Sequence, residues 1–463
     1  MSILDLSGLF NRRIRSVSLF GFGKGASSLI PHLLTSKYEV SVRDDRRDIG
    51  ASLPSGVKPL LGDAALSEPY PDLMIISPSV RRDRLFDLGL HKQAIMTSDT
   101  DLFFRLYKKK SFAISGSSGK STSATLLYEL LSTSGSSQLV GNIGVPMTDA
   151  YLRENITRAV CELSSFNLQY DDVHPSRAAI TNIKRNHLNW HRDFAEYKES
   201  KLRLLYSASR FSVNLDDEST SALALNSDCY ACYSLKFDYQ GLHNVYKDKI
   251  VFTKSEDGIF KNDTLILPAR FLSGYAKYNI YNLLCALSLA EGEYDDSALC
   301  DVVSSHRSLS HRCECFMCLG GIKFIDSSID TSPDRTYETL SSLSDRVLIL
   351  LGGRSKGESY APLSGLIKRK CKTVVAFGEA AEKISAEIFP FIGDIPTATF
   401  KTMREAALYA IFLANDGDTV LLSPASTSFD EFASFEQRGD TFKQLINDAF
   451  RQKNIGEHNE KDN

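Results

Sequence analysis

No apolar run in the chain approaches the roughly 18–20 residues of a membrane-spanning helix, so no such helix is predicted. Charge of one sign is also missing. Lys and Arg total 54 against 57 Asp and Glu, a net charge of −3, which leaves no electrostatic footprint for nucleic acid. Tryptophan occurs once, and nine cysteines are scattered through 463 residues, so the cysteines read as reduced thiols rather than a disulfide framework. Cys313, Cys315 and Cys318 form the one cluster, on a strand-like run with no fourth Cys or His in metal spacing, and read as core or surface thiols in preference to zinc ligands. Internal repeats and low-complexity tracts are absent. The N-terminus places Arg12 and Arg13 after its apolar residues, the reverse of a secretory signal, so the expected location is the cytoplasm. What remains is 43% hydrophobic and 24% charged, an ordinary globular composition with length for about three domains.

The residues Gly116-Ser117-Ser118-Gly119-Lys120-Ser121-Thr122 follow the apolar run Phe112–Ile114 and precede a leucine-rich stretch from Leu126 to Leu131. Strand, glycine turn and helix in that order are, in preference to a small-residue turn with one stray lysine, the layout of a phosphate-binding loop. Its N–H groups turn inward, the helix N-terminus adds positive potential, Lys120 reaches the outer phosphates, and Ser121 or Thr122 offers a hydroxyl to Mg²⁺. The spacing G-x-x-G-K-S-T is two residues shorter than the common form.

Three α/β segments are predicted: a Rossmann-like domain over 1–107, a central P-loop ATPase-type parallel-sheet domain over 108–302 and a Rossmann-like domain over 303–453, with a frayed polar tail at 454–463. Strands are expected at Val17–Phe20, Glu39–Arg43, Asp72–Ser77, Arg158–Leu163, Ala178–Ile183, Val347–Leu351, Thr373–Phe377 and Thr419–Ser423, and an apolar helix at Tyr281–Ala290. The turn Gly21-Phe22-Gly23 after the first strand is compatible with a nucleotide contact or with a tight turn alone. Asp45 and Arg46 lie just past the second strand, where such folds meet a ribose or base.

A carboxylate at a strand's C-terminal end sits on the ligand-bearing side of an α/β sheet, and Glu162 holds that position. The next such strand leads to His187. With Ser121 or Thr122 they supply oxygen and imidazole ligands suited to Mg²⁺, although a surface glutamate and a helix-capping histidine fit the same positions.

The ordered set Gly116–Thr122, Gly141-Asn-Ile-Gly144, Glu162-Leu-Ser-Ser-Phe166, Asn182 to His187, Glu196-Tyr-Lys-Glu-Ser-Lys201, His311-Arg-Cys-Glu314, Asp326-Ser327, Leu350 to Gly357, Leu422 to Ser428 and Phe435-Glu-Gln-Arg-Gly439 resembles the muramyl ligases of peptidoglycan synthesis over nearly the whole chain. The resemblance implies ATP-driven amide formation. The carboxylate of UDP-N-acetylmuramoyl-L-alanine takes the γ-phosphoryl group and an amino acid's amine attacks the acyl phosphate, with D-glutamate favoured by the two closing motifs. It further implies two Mg²⁺ ions served by Ser121, Thr122, Glu162 and His187, and a carbamylated Lys201 bridging them; a solvated helix lysine is the other reading of Lys201. Asn279, Asn282, Arg312 and Asp326 would contact the adenosine and phosphates of ATP. Lys356, Ser428 and Phe435 would form the amino-acid pocket, Asn142, Ser164 and Asn167 the muramyl-alanine end, and Gly21, Gly23, Asp45 and Arg46 the UDP site. A monomer is expected.

Three departures from the family pattern stand out. Tyr278 replaces a histidine, Asn186 and Asn189 flank His187 where aspartates are common, and Asp326 to Pro333 lacks a lysine. The last puts the identity of the amino acid in question. A related ligase taking L-glutamate or another amino acid, and a non-catalytic nucleotide-binding relative, are the alternatives. The joint presence of Lys120, Glu162, His187 and Lys201 argues against the second.

Overall fold

The computed structural model describes residues 4–459 apart from 154–155, 186–189, 273–274, 276, 307–309 and 344–345. The chain divides into two compact units, Met1–His306 and Arg307–Asn463.

The first unit holds two sheets. One has five parallel strands in the order Val57–Leu61, Glu39–Asp44, Ser16–Phe20, Leu73–Ile76, Ile95–Thr97. Its inner strand Leu73–Ile76 is apolar on both faces and wholly buried, as a parallel strand covered on both sides is. The other has nine strands, with Lys110–Ser115 between Arg158–Glu162 and Arg177–Ile180. Seven of its strands are parallel. An antiparallel edge, Gly258–Lys261 and Thr264–Pro268, closes one side. The helices Lys120–Ser132 and Lys277–Ala290 pack together on one face, and Phe194–Ser207 covers the other through Tyr197, Leu204 and Leu205. Lys277–Ala290 is apolar nearly all round because it lies between that sheet and the neighbouring helix.

The second unit has six strands in the order Glu314–Leu319, Ile322–Asp326, Thr419–Leu422, Val347–Gly352, Cys371–Phe377, Thr397–Phe400, the first antiparallel and the rest parallel.

Each expected strand is present, and the differences are local. The strand expected over 178–183 ends at Ile180, because Thr181 and Asn182 turn aside to bond the loop after Ser115. The closing helix Phe435–Asn459 runs through residues 454–459 of the segment expected to fray, and 460–463 lie outside the described residues. The antiparallel edge strand Glu314–Leu319 falls on the strand-like run of Cys313, Cys315 and Cys318, whereas the edge Gly258–Lys261 and Thr264–Pro268 carried no legible signal beforehand. All nine cysteines are free thiols, with Cys315 and Cys318 exposed on the edge strand Glu314–Leu319.

Candidate functional site

The strand Lys110–Ser115 is where the order of the nine-stranded sheet reverses, so the loop that follows it opens into the crevice between its two neighbours. Gly116 and Gly119 take φ +150° and +79°, and a Cβ on either would collide with Thr181 Oγ1 at 1.9 Å or Asn282 Oδ1 at 2.2 Å. Only glycine fits there. The loop is held from the next strand's rim: Ser117 N donates to Asn182 O (2.8 Å), Ser118 N to Asn182 Oδ1 (3.2 Å), and Thr181 Oγ1 to Ser118 O. Ser117 Oγ meets Tyr197 OH at 2.8 Å and receives Lys184 N at 2.8 Å. Ser121 and Thr122 are buried in the first turn of the helix Lys120–Ser132. Asn282 is buried against the same turn, its Nδ2 donating to Asn279 Oδ1 at 3.3 Å, and Tyr278 begins the same helix.

Glu162 pairs in register with Ile114, which sets its carboxylate beside the loop. It is only 3% exposed, and its Oε2 has no hydrogen-bond partner among the described residues. The surface reading of Glu162 is therefore wrong. Lys201 is likewise no solvated helix cation. It is 1% exposed on the inner face of Phe194–Ser207, its Nζ donating to Gly116 O (2.8 Å) and Ser115 Oγ (3.2 Å) over the Tyr197 ring. Lys120 Nζ donates to the same Gly116 oxygen at 2.8 Å. Burial, then the charge of Lys120, push the Lys201 amine well below its ordinary pKa, with Glu162 pulling the other way. A buried carboxylate oxygen without a donor among the described residues, beside two crowded lysine amines on glycine-lined backbone, is a set that a polyphosphate with a divalent cation would complete.

His187, Asn186 and Asn189 lie outside the described residues. His191 is buried close by, its Nε2 3.0 Å from Ser165 Oγ, and burial lowers its pKa. Asn142 follows Gly141, whose Cβ would lie 2.4 Å from Glu162 O, and Asn142 N donates to that oxygen at 3.1 Å. Ser164 and Asn167 form a capping box on the helix Ser165–Tyr170, and Asn167 Nδ2 donates to Thr100 Oγ1 at 2.8 Å, so both side chains have structural duties.

At the five-stranded sheet, the Gly21 to Gly23 turn opens a cavity of about 1100 Å³ that Asp44, Asp45, Arg46, Arg81, Asp83 and Trp190 also line. Gly21 has φ +83° and packs within 3 Å of where Val80 and Ser77 would meet a Cβ, whereas a Cβ on Gly23 would face open space. Arg46 grips the turn through Phe22 O (2.8 Å) and both oxygens of Asp44. Burial opposes the Asp44 charge, but the Arg46 guanidinium and the Phe22 and Arg46 amides outweigh it and hold the carboxyl down at about 2.

In the second unit, Asp326 ends its strand fully buried, accepting from Ser328 N (2.9 Å) and lying 2.7 Å from His311 Nδ1, with Arg312 half-buried next in sequence to that histidine. Gly439 must be glycine because a Cβ would sit 2.1 Å from His311 Nδ1. Arg438 is wholly buried and donates to Ser328 Oγ, Ser328 O, Ser426 O and Gly352 O. Phe435 lies edge-on to His311 at 6.2 Å, Ser428 is buried, and Lys356 is exposed with Nζ 3.4 Å from Thr331 Oγ1. Thr181, Asn182, Tyr197, His311 and Arg438 escaped the sequence reading. All but Thr181 stand in the motifs quoted above, which was the signal available; their roles rest on contacts distant in the chain, which no motif shows.

Residues 114–290 match the Mur ligase middle domain and residues 311–426 the Mur ligase, glutamate ligase domain. A UDP-N-acetylmuramoylalanine–D-glutamate ligase of Ruminiclostridium cellulolyticum is 31% identical over 94% of this chain and 96% of its own length. One of Acetivibrio thermocellus is 30% identical over 95% and 98%. Among solved structures, the UDP-N-acetylmuramate-alanine ligase from Thermotoga maritima shares the fold, with a TM-score of 0.57 at 17% identity, 94% of this chain and 99% of that one being covered. A MurF ligase from the same organism in complex with ADP gives 0.51 at 14% identity, over 95% and 96%. Two matched domains and relatives similar along their whole length lead to one conclusion: the chain belongs to the Mur ligase family.

Proposed function

We propose that the chain is an ATP-dependent ligase that joins D-glutamate to UDP-N-acetylmuramoyl-L-alanine in peptidoglycan precursor synthesis, acting as a cytoplasmic monomer. The similarity to ligases of that name along 94% of the chain carries the choice of substrates. The division into domains 1–107, 108–302 and 303–453 belongs to the same reading, the nucleotide sugar on the first, ATP on the second and the amino acid on the third.

ATP would lie on Gly116 to Thr122, with Asn279 and Asn282 beside the adenosine, and Arg312 and Asp326 are the further residues that the family resemblance assigns to it. Glu162, with the hydroxyls of Ser121 and Thr122, would hold one Mg²⁺, and His187 and Lys201 a second. Bound Mg²⁺ neutralises charge on the transferring phosphoryl group. Lys120 aids that neutralisation from the loop. Burial and Lys120 favour the neutral amine of Lys201, the form that adds to carbon dioxide: the N–C bond forms, a C–O electron pair moves to oxygen, and the amine proton leaves, giving an anionic carbamate. That anion suits a cation-binding site where an ammonium would repel. Gly21, Gly23, Asp45 and Arg46 would take the UDP. Asn142, Ser164 and Asn167 would lie toward the muramyl-alanine, and Lys356, Ser428 and Phe435 toward the incoming amino acid, Lys356 pairing with a carboxylate.

The test is phosphate release from ATP and Mg²⁺ with UDP-N-acetylmuramoyl-L-alanine and D-glutamate, L-glutamate or no amino acid. Release that depends on D-glutamate, with the matching amide product by mass, is expected. Dependence on L-glutamate alone would trace to the lysine-less segment Asp326 to Pro333, and silence with every amino acid would overturn the reading.

A further inference from the structure

The only tryptophan in the chain lines the same cavity as the Gly21 to Gly23 turn, although it belongs to the nine-stranded-sheet part of the unit. Trp190 follows the strand Arg177–Ile180, whose continuation grips the phosphate loop, and precedes the helix Phe194–Ser207, which carries Lys201. Three contacts fix its indole: Nε1 donates to Gln169 Oε1 at 3.1 Å, the Phe166 ring lies 4.6 Å away between centroids, and the Arg81 guanidinium stands 5.9 Å over the ring. Arg81 is itself anchored by Asp83 at 3.0 Å, and Asp83 by Tyr170 OH at 2.6 Å. An aromatic surface fixed in this way is prepared to receive a ligand with little loss of conformational freedom.

Resting on the function proposed above, the ligand's two ends have separate addresses. Its nucleotide meets the turn of the five-stranded sheet, and its reacting carboxylate reaches the loop at Lys120 and Lys201. The part between them is the sugar, and Trp190 lines the cavity at the first address while standing in sequence just before the helix that carries Lys201 to the second. We infer that Trp190 is a specificity-determining residue whose cavity-lining indole packs against the sugar of the nucleotide sugar and so selects it over the bare nucleotide.

Single-tryptophan fluorescence reads this directly in the full-length protein. UDP-N-acetylmuramoyl-L-alanine should shift the indole emission, whereas UDP, competing for the turn, should leave it unchanged. Trp190→Ala should raise KM for the muramyl substrate about tenfold while the inhibition constant of UDP and KM for ATP stay put, and Trp190→Phe should recover most of the loss. A KM left unchanged in Trp190→Ala, with D-glutamate-dependent ligation intact, would overturn the role of Trp190 and leave the ligase reading standing. Equal losses for UDP and ATP would reveal a structural residue and overturn it as well. Failure of the wild-type protein to bind or ligate the muramyl substrate would overturn the ligase reading itself.

Discussion

The rims of two parallel sheets in this chain carry similar polar residues and treat them differently. Beside the phosphate loop, Glu162 Oε2 is buried without a donor among the described residues, and Lys201 and Lys120 crowd one carbonyl oxygen. In the second unit, Asp326 is buried against His311, and Arg438 spends its guanidinium on Ser328, Ser426 and Gly352. A buried polar group without a partner destabilises the fold, so a rim that retains one is built for a ligand, whereas groups paired among the described residues, as Arg438 is, hold their own loops together. The difference separates Glu162 and Lys201, whose surroundings call for a ligand, from Arg438, whose guanidinium holds loops together, even though all three lie in conspicuous motifs.

The sharpest way to break this contrast is to exchange the two roles. Lys120→Ala should lower kcat by about 10²–10³-fold, because a charge aimed at the transferring phosphoryl group is lost, with little change in unfolding temperature; steady-state phosphate release and a melting curve check both halves. Lys201→Ala should lose about 10²-fold in turnover and regain much of it when formate or acetate fills the space of the carbamate; activity that stays full without rescue would remove Lys201 from the site. Arg438→Met should do the opposite, costing about 3 kcal/mol of stability by leaving three buried carbonyl oxygens without their donor, as a denaturant titration would report.

The smallest effect concerns the paired rim alone. Its hydrogen bond to Asp326 raises the His311 pKa above the ordinary 6.5, against the opposing effect of burial. A raised folded-state pKa contributes stability that is fully present below the unfolded value and is lost as pH rises through the folded one. Denaturation midpoints at about pH 5 and about pH 9 should therefore fall more for the wild type than for His311→Gln. An identical pH dependence in both proteins would mean that the pair does not link protonation to folding.

Much of this contrast was legible beforehand, for physical reasons. Phe112 to Leu131 carries its own instructions, an apolar strand, obligatory glycines and a helix start, so the loop could be read locally. The same holds for Glu162, fixed by a strand end, and for the Gly21 turn. Lys201 was visible as a motif residue, but its burial depends on how Phe194–Ser207 packs across the sheet, which no local pattern reveals. The grip of Thr181 and Asn182 on the loop joins residues more than 60 positions apart, and Arg438 reaches Ser328 across 110. Such contacts follow from topology. The antiparallel edge at Gly258–Lys261 and Thr264–Pro268 went unread because short edge strands are brief and mixed in pattern.

The claim that the unpaired rim awaits a cation-bearing polyphosphate is tested most directly by the dissociation constant of ATP, measured with and without Mg²⁺ in the wild type and in Glu162→Gln. Tighter binding with Mg²⁺ in the wild type, and loss of that gain in the variant, is the predicted result. A gain of equal size in both proteins would contradict it, since the orphaned carboxylate would then have no part in holding the ion.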